Sequence, residues 1–244
     1  EVDPLAKGIV LAEPARNLLV HDNLIRGCAV GLEGGKRTGR IDAVIDARTF
    51  TSGGPLPWPR RRTHGYRGCR VAWLRGGKAL PGPEIEAFDP DEGVFRLRQE
   101  GELEQGAVFA VYSPQGFSWN LHHNVINNCD RLVDLDVFGG PTAVFSDNLL
   151  ARGEVAKVDV AVSIRGLFSV TGNRFTGFDG PGSVALLLQP DPFGKTPRFI
   201  CRDNLFDQCT TPVGEGVAGV RDAALKGGNV FGDQREPSAG DSAR

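Results

Sequence analysis

FSWNLHHNVINNCDRLVDLDVFGGPTAVFSDNLL (117–150) holds two copies of one pattern. An alternating apolar run leads to Asn124, an aliphatic pair follows, and a second alternating run comes next. The pattern restarts at Thr142 and reaches Asn148. Aligning the chain on this asparagine gives Asn23, Asn124, Asn148, Asn173, Asn204 and Asn229, with spacings of 101, 24, 25, 31 and 25. A period near 25 is the signature of a repeat architecture. Ile25, Ile126, Leu150, Phe175, Phe206 and Phe231 stand two after the asparagine, and Val20, Leu121, Phe145, Val170 and Cys201 three before it. Leu18, Trp119, Ala143, Phe168 and Phe199 stand five before it. Apolar columns two residues apart predict strands with one buried face.

The second run recurs as Arg131–Phe138, Lys157–Ile164, Ser183–Gln189 and Pro212–Val217. Val133 and Leu135 alternate there with Asp134 and Asp136. No stretch keeps a helical period, and 33 glycines and 16 prolines punctuate the chain. The expected fold is all-β: a coil whose strands stack about 4.8 Å apart, with the asparagine amides forming a ladder.

The copies VHDNLI (20–25), LHHNVI (121–126), FSDNLL (145–150), VTGNRF (170–175) and CRDNLF (201–206) resemble the single-stranded right-handed parallel β-helix superfamily, the pectate-lyase-like group. The resemblance covers 8–33 and 117–231 and implies a right-handed parallel β-helix. It does not imply one activity, because the group holds lyases, hydrolases, epimerases, tailspikes and inert scaffolds. The polygalacturonase set (NTD, DD, GHG, RIK) and the pectate-lyase RxPxxR are absent. FDPDEG (88–93) falls near an epimerase DPHE but lacks its histidine.

Four segments are expected: 1–33 as a rung continuing an upstream part, 34–116 as a large β-rich insertion, 117–231 as the regular rungs, and 232–244 as a disordered tail. The chain starts at Glu1 and contains no Met. KGIVLAEPARNLLVHDN (7–23) already reads as one rung feeding the next, which predicts a cleaved leader or earlier rungs before it. The net charge of −2 argues against nucleic acid as the partner, and no run of 18 apolar residues predicts a membrane span. Five cysteines make a poor disulfide framework. Cys28, Cys129 and Cys209 each stand five after an asparagine and are expected to stack inward as small apolar groups.

Two regions carry candidate chemistry. Asp134 and Asp159 each precede the next asparagine by 14 residues, so they are expected to be rung neighbours, with Asp136 on the same outward face. Clustered carboxylates could act as acid and base in glycoside hydrolysis, or could hold Ca²⁺; no other cofactor or metal is indicated. Lys157 and Arg165 could supply the base and the positive charge that a lyase needs beside a uronate. The alternative is a solvated face whose charges pair with one another.

The second region is the basic stretch PWPRRRTHGYRGCRVAWLR (57–75). Residues 34–80 hold 11 Lys/Arg against 2 acids, whereas 81–116 hold 2 Arg against 8 acids. Arg61, Arg62, His64, Tyr66, Arg67 and Trp73 are expected to bind an acidic sugar chain, guanidinium to carboxylate and ring to pyranose face. The competing reading pairs the basic half with the acidic half. His21 and His122 share one column, with His123 beside it, where they could bind metal or only bond the turn backbone.

The leading functional expectation is a secreted or periplasmic carbohydrate-active protein acting on an acidic polysaccharide by lyase or hydrolase chemistry. The alternative is a non-catalytic sugar-binding or structural β-helix module, tailspike-like or scaffold, joined to an upstream segment or an oligomer.

Overall fold

The structure is a computed structural model. It describes residues 3–12, 17–35, 37–53, 66–112, 118–136, 143–153, 159–165, 168–190, 193 and 199–232.

Left-handed corners organise the turns of the coil. One residue before the column asparagine stand Asp22, His123, Asp147, Gly172, Asp203 and Gly228, with φ between 54° and 71°. Gly27, Asn128, Gly177 and Gln208, four after it, are left-handed too. Glycine, asparagine and aspartate tolerate this region because it brings Cβ too close to the following carbonyl for most side chains. Between the corners lie only three extended residues. The aliphatic pair read from the sequence is therefore a strand of its own.

Three parallel sheets result, and the chain visits them in rotation. The first contains Asp3–Ala12, Cys28–Gly35, Arg131–Asp136, Val160–Arg165, Val184–Gln189 and Thr211–Gly214, in that spatial order. The second contains Leu18–His21, Trp119–His122, Ala143–Ser146, Phe168–Thr171 and Ile200–Arg202. The third contains Leu24–Arg26, Val125–Asn127, Leu149–Ala151, Arg174–Thr176, Leu205–Asp207 and Val230–Phe231. Leu121 pairs with Val20 on one side and Phe145 on the other, so the turns before and after the insertion are immediate neighbours.

The asparagines run down the interior between the second and third sheets. Each Nδ2 donates to the next Oδ1: Asn23 to Asn124 at 2.9 Å, Asn124 to Asn148 at 3.0 Å, Asn148 to Asn173 at 2.9 Å. Asn173 donates to Asn204 at 3.0 Å and Asn204 to Asn229 at 2.8 Å. The same Oδ1 accepts the backbone N–H of the asparagine above, for example Asn124 N–H to Asn148 at 2.9 Å. The second amide hydrogen goes to strand carbonyls such as Leu121 O at 3.0 Å from Asn148 Nδ2. Asn124, Asn148, Asn173 and Asn204 are buried at 1% exposure with their amide hydrogens satisfied, which is what makes a polar column tolerable in a core.

Around it pack Trp119, Leu121, Ile126, Phe145, Leu150 and their counterparts. Phe175, Phe206 and Phe231 stack ring on ring at 4.7 and 5.5 Å. Each fully buried ring is worth about 1.5–3 kcal/mol. The cysteine column joins this core. Cys129 and Cys209 are buried and Cys28 half-buried, all as free thiols. Burial pushes the Cys129 and Cys201 thiols up to about 11 and that of Cys209 to about 12.

Between Arg37 and Tyr112 the chain builds a separate antiparallel sheet. Its spatial order is Arg37–Arg40, Val108–Tyr112, Arg70–Arg75, Lys78–Asp89, Val94–Leu97, Thr49–Thr51 and Ala43–Asp46. The two edge strands, Arg37–Arg40 and Ala43–Asp46, are joined by Ile41 and Asp42 alone, so the sheet is rolled until its edges meet. Ile41 N–H donates to Ala107 O and Asp42 N–H to Thr51 O, both at 2.9 Å, which extends each edge ladder into the two-residue link. The rolled sheet encloses Phe50, Tyr66, Val71, Trp73, Ile85, Phe88, Phe95 and Phe109. Its outer face reaches the coil where Tyr112 meets Phe193, ring centroids 5.2 Å apart. FDPDEG forms the turn after Lys78–Asp89, with Asp89 Oδ1 accepting the Asp91 N–H at 2.9 Å.

One helix, Val220–Lys226, departs from the helix-free reading. Seven residues are too few to show a period in sequence. It follows Gly219 at φ 78° and rests on the last turn, where Asn229 Nδ2 donates to Ala224 O at 2.6 Å.

Candidate functional site

The outward face of the first sheet carries the acids singled out in the sequence. Along Arg131–Asp136, Leu132, Val133 and Leu135 turn inward, leaving Asp134 and Asp136 partly exposed. The same parity leaves Ser163 and Arg165 outward on Val160–Arg165, and Leu187 and Gln189 on Val184–Gln189.

The register corrects one expectation. Asp134 pairs with Ser163 and with Glu33, and Asp136 pairs with Arg165. Asp159 lies before its strand, four residues from Ser163, or about 13 Å along the sheet from the level of Asp134. Counting back from the next asparagine assumed equal connections. The segment after Asp136 spans 137–142 and that after Arg165 only 166–167, so the extra length in one turn is displaced to the other side of its strand. Asp159 is exposed, and its carbonyl accepts the Val184 N–H at 2.8 Å. Lys157 lies outside the described residues.

The face is built of neutralising contacts. Lys7 Nζ stands 2.6 Å from Glu33 Oε2, Arg131 Nη1 2.6 Å from Asp134 Oδ2, and Arg165 Nη1 3.2 Å from Asp136 Oδ2. The network continues from Arg165 Nη2 to Gln189 Oε1, and from Gln189 Nε2 to Ser163 Oγ at 2.7 Å. Arg165 Nε is buried, with no hydrogen bond among the described residues. Ammonium, guanidinium, carboxylate, amide and hydroxyl groups thus line one face of five adjacent strands. Glu33, Ser163 and Gln189 were not legible as members of this row, because membership follows from a register that asparagine spacing does not fix.

The basic arm is corrected as well. Tyr66 is fully buried, 4.9 Å from Phe88 and 5.7 Å from Phe95 by ring centroid, and Trp73 meets Phe50 edge-on at 6.4 Å. These rings form the core of the rolled sheet and offer no face to a sugar. A large aromatic in a small domain gains more from burial than from a weak ligand contact. Arg67 is exposed; Arg61, Arg62 and His64 lie outside the described residues. The acidic half does meet the basic half in part: Arg75 Nη1 lies 3.2 Å from Glu102 Oε2.

The histidines stand at the corner between the second and third sheets. His21 and His122 are register partners, with rings stacked 5.2 Å apart at 9°. The hydrogen bond from His21 holds the Asp22 carboxyl below its usual range. An apolar pocket under the terminal helix, lined by Pro212, Val213, Ala224, Leu225 and Phe231 with Arg221, holds no group suited to proton transfer.

No protein-family model matches the chain, and no curated protein matches it. Among solved structures, it is similar to the tailspike protein gp49 from Pseudomonas phage LKA1, at 11% identity and a TM-score of 0.28. That match covers 84% of this chain and 35% of the tailspike. The Gp54 tailspike of Acinetobacter baumannii bacteriophage AP22, in complex with A. baumannii capsular saccharide, matches at 9% identity and a TM-score of 0.19, over 82% of this chain and 40% of its own. The chain therefore spans well under half the length of either structure.

Proposed function

We propose that the chain is a right-handed parallel β-helix module that binds an acidic polysaccharide along the outward face of its first sheet and does not cleave it. The right hand is the sense in which parallel strands of one sheet are almost always connected. The observation that carries the binding-only reading is the pairing of the acids. Arg131 holds Asp134 at 2.6 Å and Arg165 holds Asp136 at 3.2 Å. A carboxylate whose oxygen already accepts a guanidinium hydrogen is badly placed to take a proton from a sugar or give one to it. The same row suits binding: it is polar, in register with the sheet, and carries the partly exposed guanidinium groups of Arg131 and Arg165, whose forks suit an anionic oxygen. A location outside the cytoplasm accompanies this reading, since that is where such polymers are met.

The test is titration of uronate-containing polysaccharides into the protein, with parallel assays for new unsaturated and new reducing ends. Binding that is lost in Arg165→Ala and retained in Asp159→Asn, with no new ends, is the expected result. New ends that vanish in Asp136→Asn would restore the lyase or hydrolase reading. Failure to bind any acidic polysaccharide would remove the ligand from the proposal.

A further inference from the structure

We propose that His21, Asp22, His122 and His123 form a binding site for a divalent transition metal ion of the Zn²⁺ class, clamping the coil turn before the rolled sheet to the turn after it. The site is independent of the sheet face discussed above.

The four residues form a two-by-two array. Down the columns, His21 lies over His122 with rings 5.2 Å apart. Across the rows, each left-handed corner residue meets Nδ1 of its predecessor. Asp22 Oδ2 lies 2.6 Å from His21 Nδ1, and His123 Nδ1 lies 2.6 Å from His122 Nδ1. The corresponding pairs in the later turns are Ser146–Asp147, Thr171–Gly172, Arg202–Asp203 and Gly227–Gly228, which offer no imidazole. The array thus occurs only at the two turns that flank the insertion.

Three imidazoles and one carboxylate are a donor set that Zn²⁺, Co²⁺ and Ni²⁺ accept. The backbone is committed before any ion arrives, since Asp22 and His123 are held at φ 56° and 55° by the corner itself. The facing nitrogens of His122 and His123 can share only one proton between them. A metal ion can replace that proton and take both lone pairs. Zn–N distances of about 2.0–2.1 Å in a tetrahedron put the two nitrogens about 3.3 Å apart, so the pair opens by less than about 1 Å. No group of three or more His, Cys, Asp or Glu among the described residues stands preassembled around a metal position, so binding includes a turn of His21 toward the His122–His123 pair. The His21 and Asp22 side chains are 44% and 71% exposed and free to make that turn. Asp22, bonded to Nδ1 of His21, either joins the ion directly or orients His21 to ligate through Nε2.

His21 and His122 are 122 − 21 = 101 residues apart in sequence, with the whole rolled sheet between them. An ion bound to both is bound only by the folded coil, so it stabilises that coil by mass action.

The experiment uses the full chain, stripped with chelator, at neutral pH. Co²⁺ reports geometry by its visible absorption, calorimetry with Zn²⁺ gives stoichiometry, and Tm and amide exchange over 18–26 are read with and without Zn²⁺. One equivalent of Zn²⁺, a tetrahedral Co²⁺ spectrum, a higher Tm and slower exchange in 18–26 are expected. The double variant His122→Gln, His123→Asn should lose all four signals while its circular dichroism stays unchanged; Asn keeps the left-handed corner. Asp22→Asn should weaken binding about tenfold. No binding at micromolar metal, binding unchanged in the double variant, or binding lost instead in Cys28→Ser would overturn the proposal.

Discussion

Asn148 concentrates the physics of the coil in one side chain. Its Oδ1 accepts the backbone N–H and the amide of Asn124, and its Nδ2 donates to Leu121 O and Asn173 Oδ1. Replacing it by alanine strands several buried groups at once. Each costs about 1–3 kcal/mol when left unpaired, less what water can recover. Asn148→Ala should therefore destabilise by roughly 3–5 kcal/mol, read from the urea midpoint. Among the described residues, Asn23 has one amide neighbour, Asn124. Asn23→Ala should cost roughly 1 kcal/mol. Equal losses at the two positions would mean that the column contributes turn propensity alone.

At the scale of the element, the coil depends on corners as much as on strands. The third sheet has strands of three residues or fewer, which could not persist singly; they are defined by the left-handed residues around them. Asp203, at φ 57°, is one such corner and is exposed. Asp203→Val puts a branched Cβ into the left-handed region and should cost roughly 1–2 kcal/mol, while Asp203→Gly should be close to neutral. Thermal unfolding of the two variants separates corner strain from charge. A loss in both would point to the carboxylate instead. The sequence signal for these corners was present, since the column before the asparagine reads Asp, His, Asp, Gly, Asp, Gly. Only the paired φ values turn that composition into two bends and three sheets.

For the whole molecule, the rolled sheet is an addition to the coil. The turns flanking it are register neighbours through all three sheets: Trp119 with Leu18, Ile126 with Ile25, Asp134 with Glu33. Its core of Phe50, Tyr66, Phe88, Phe95 and Phe109 is separate from the coil core. Replacing 37–112 by a short flexible linker should leave the coil folded, and the excised segment should unfold cooperatively alone. Far-UV circular dichroism and a denaturant titration of both pieces check this. A coil that fails to fold without the insertion would show that the Tyr112–Phe193 contact and its surroundings are structural.

What the sequence determined by itself is the repeat. The asparagine column, the apolar columns beside it and the inward cysteines follow from period and parity, because identical turns must place identical chemistry at identical depth. The acidic row was only half legible. Asp134, Asp136 and Arg165 were found, but Asp159 was set beside Asp134 where Ser163 stands. Unequal connections let a strand slide against its asparagine, and only the hydrogen-bonded register decides how far. Tyr66 and Trp73 read in sequence as a sugar platform, since an aromatic among arginines carries no mark of which way it faces. The rolling of the antiparallel sheet buried them. Burial depends on contacts between residues far apart in the chain, and local sequence does not encode those contacts.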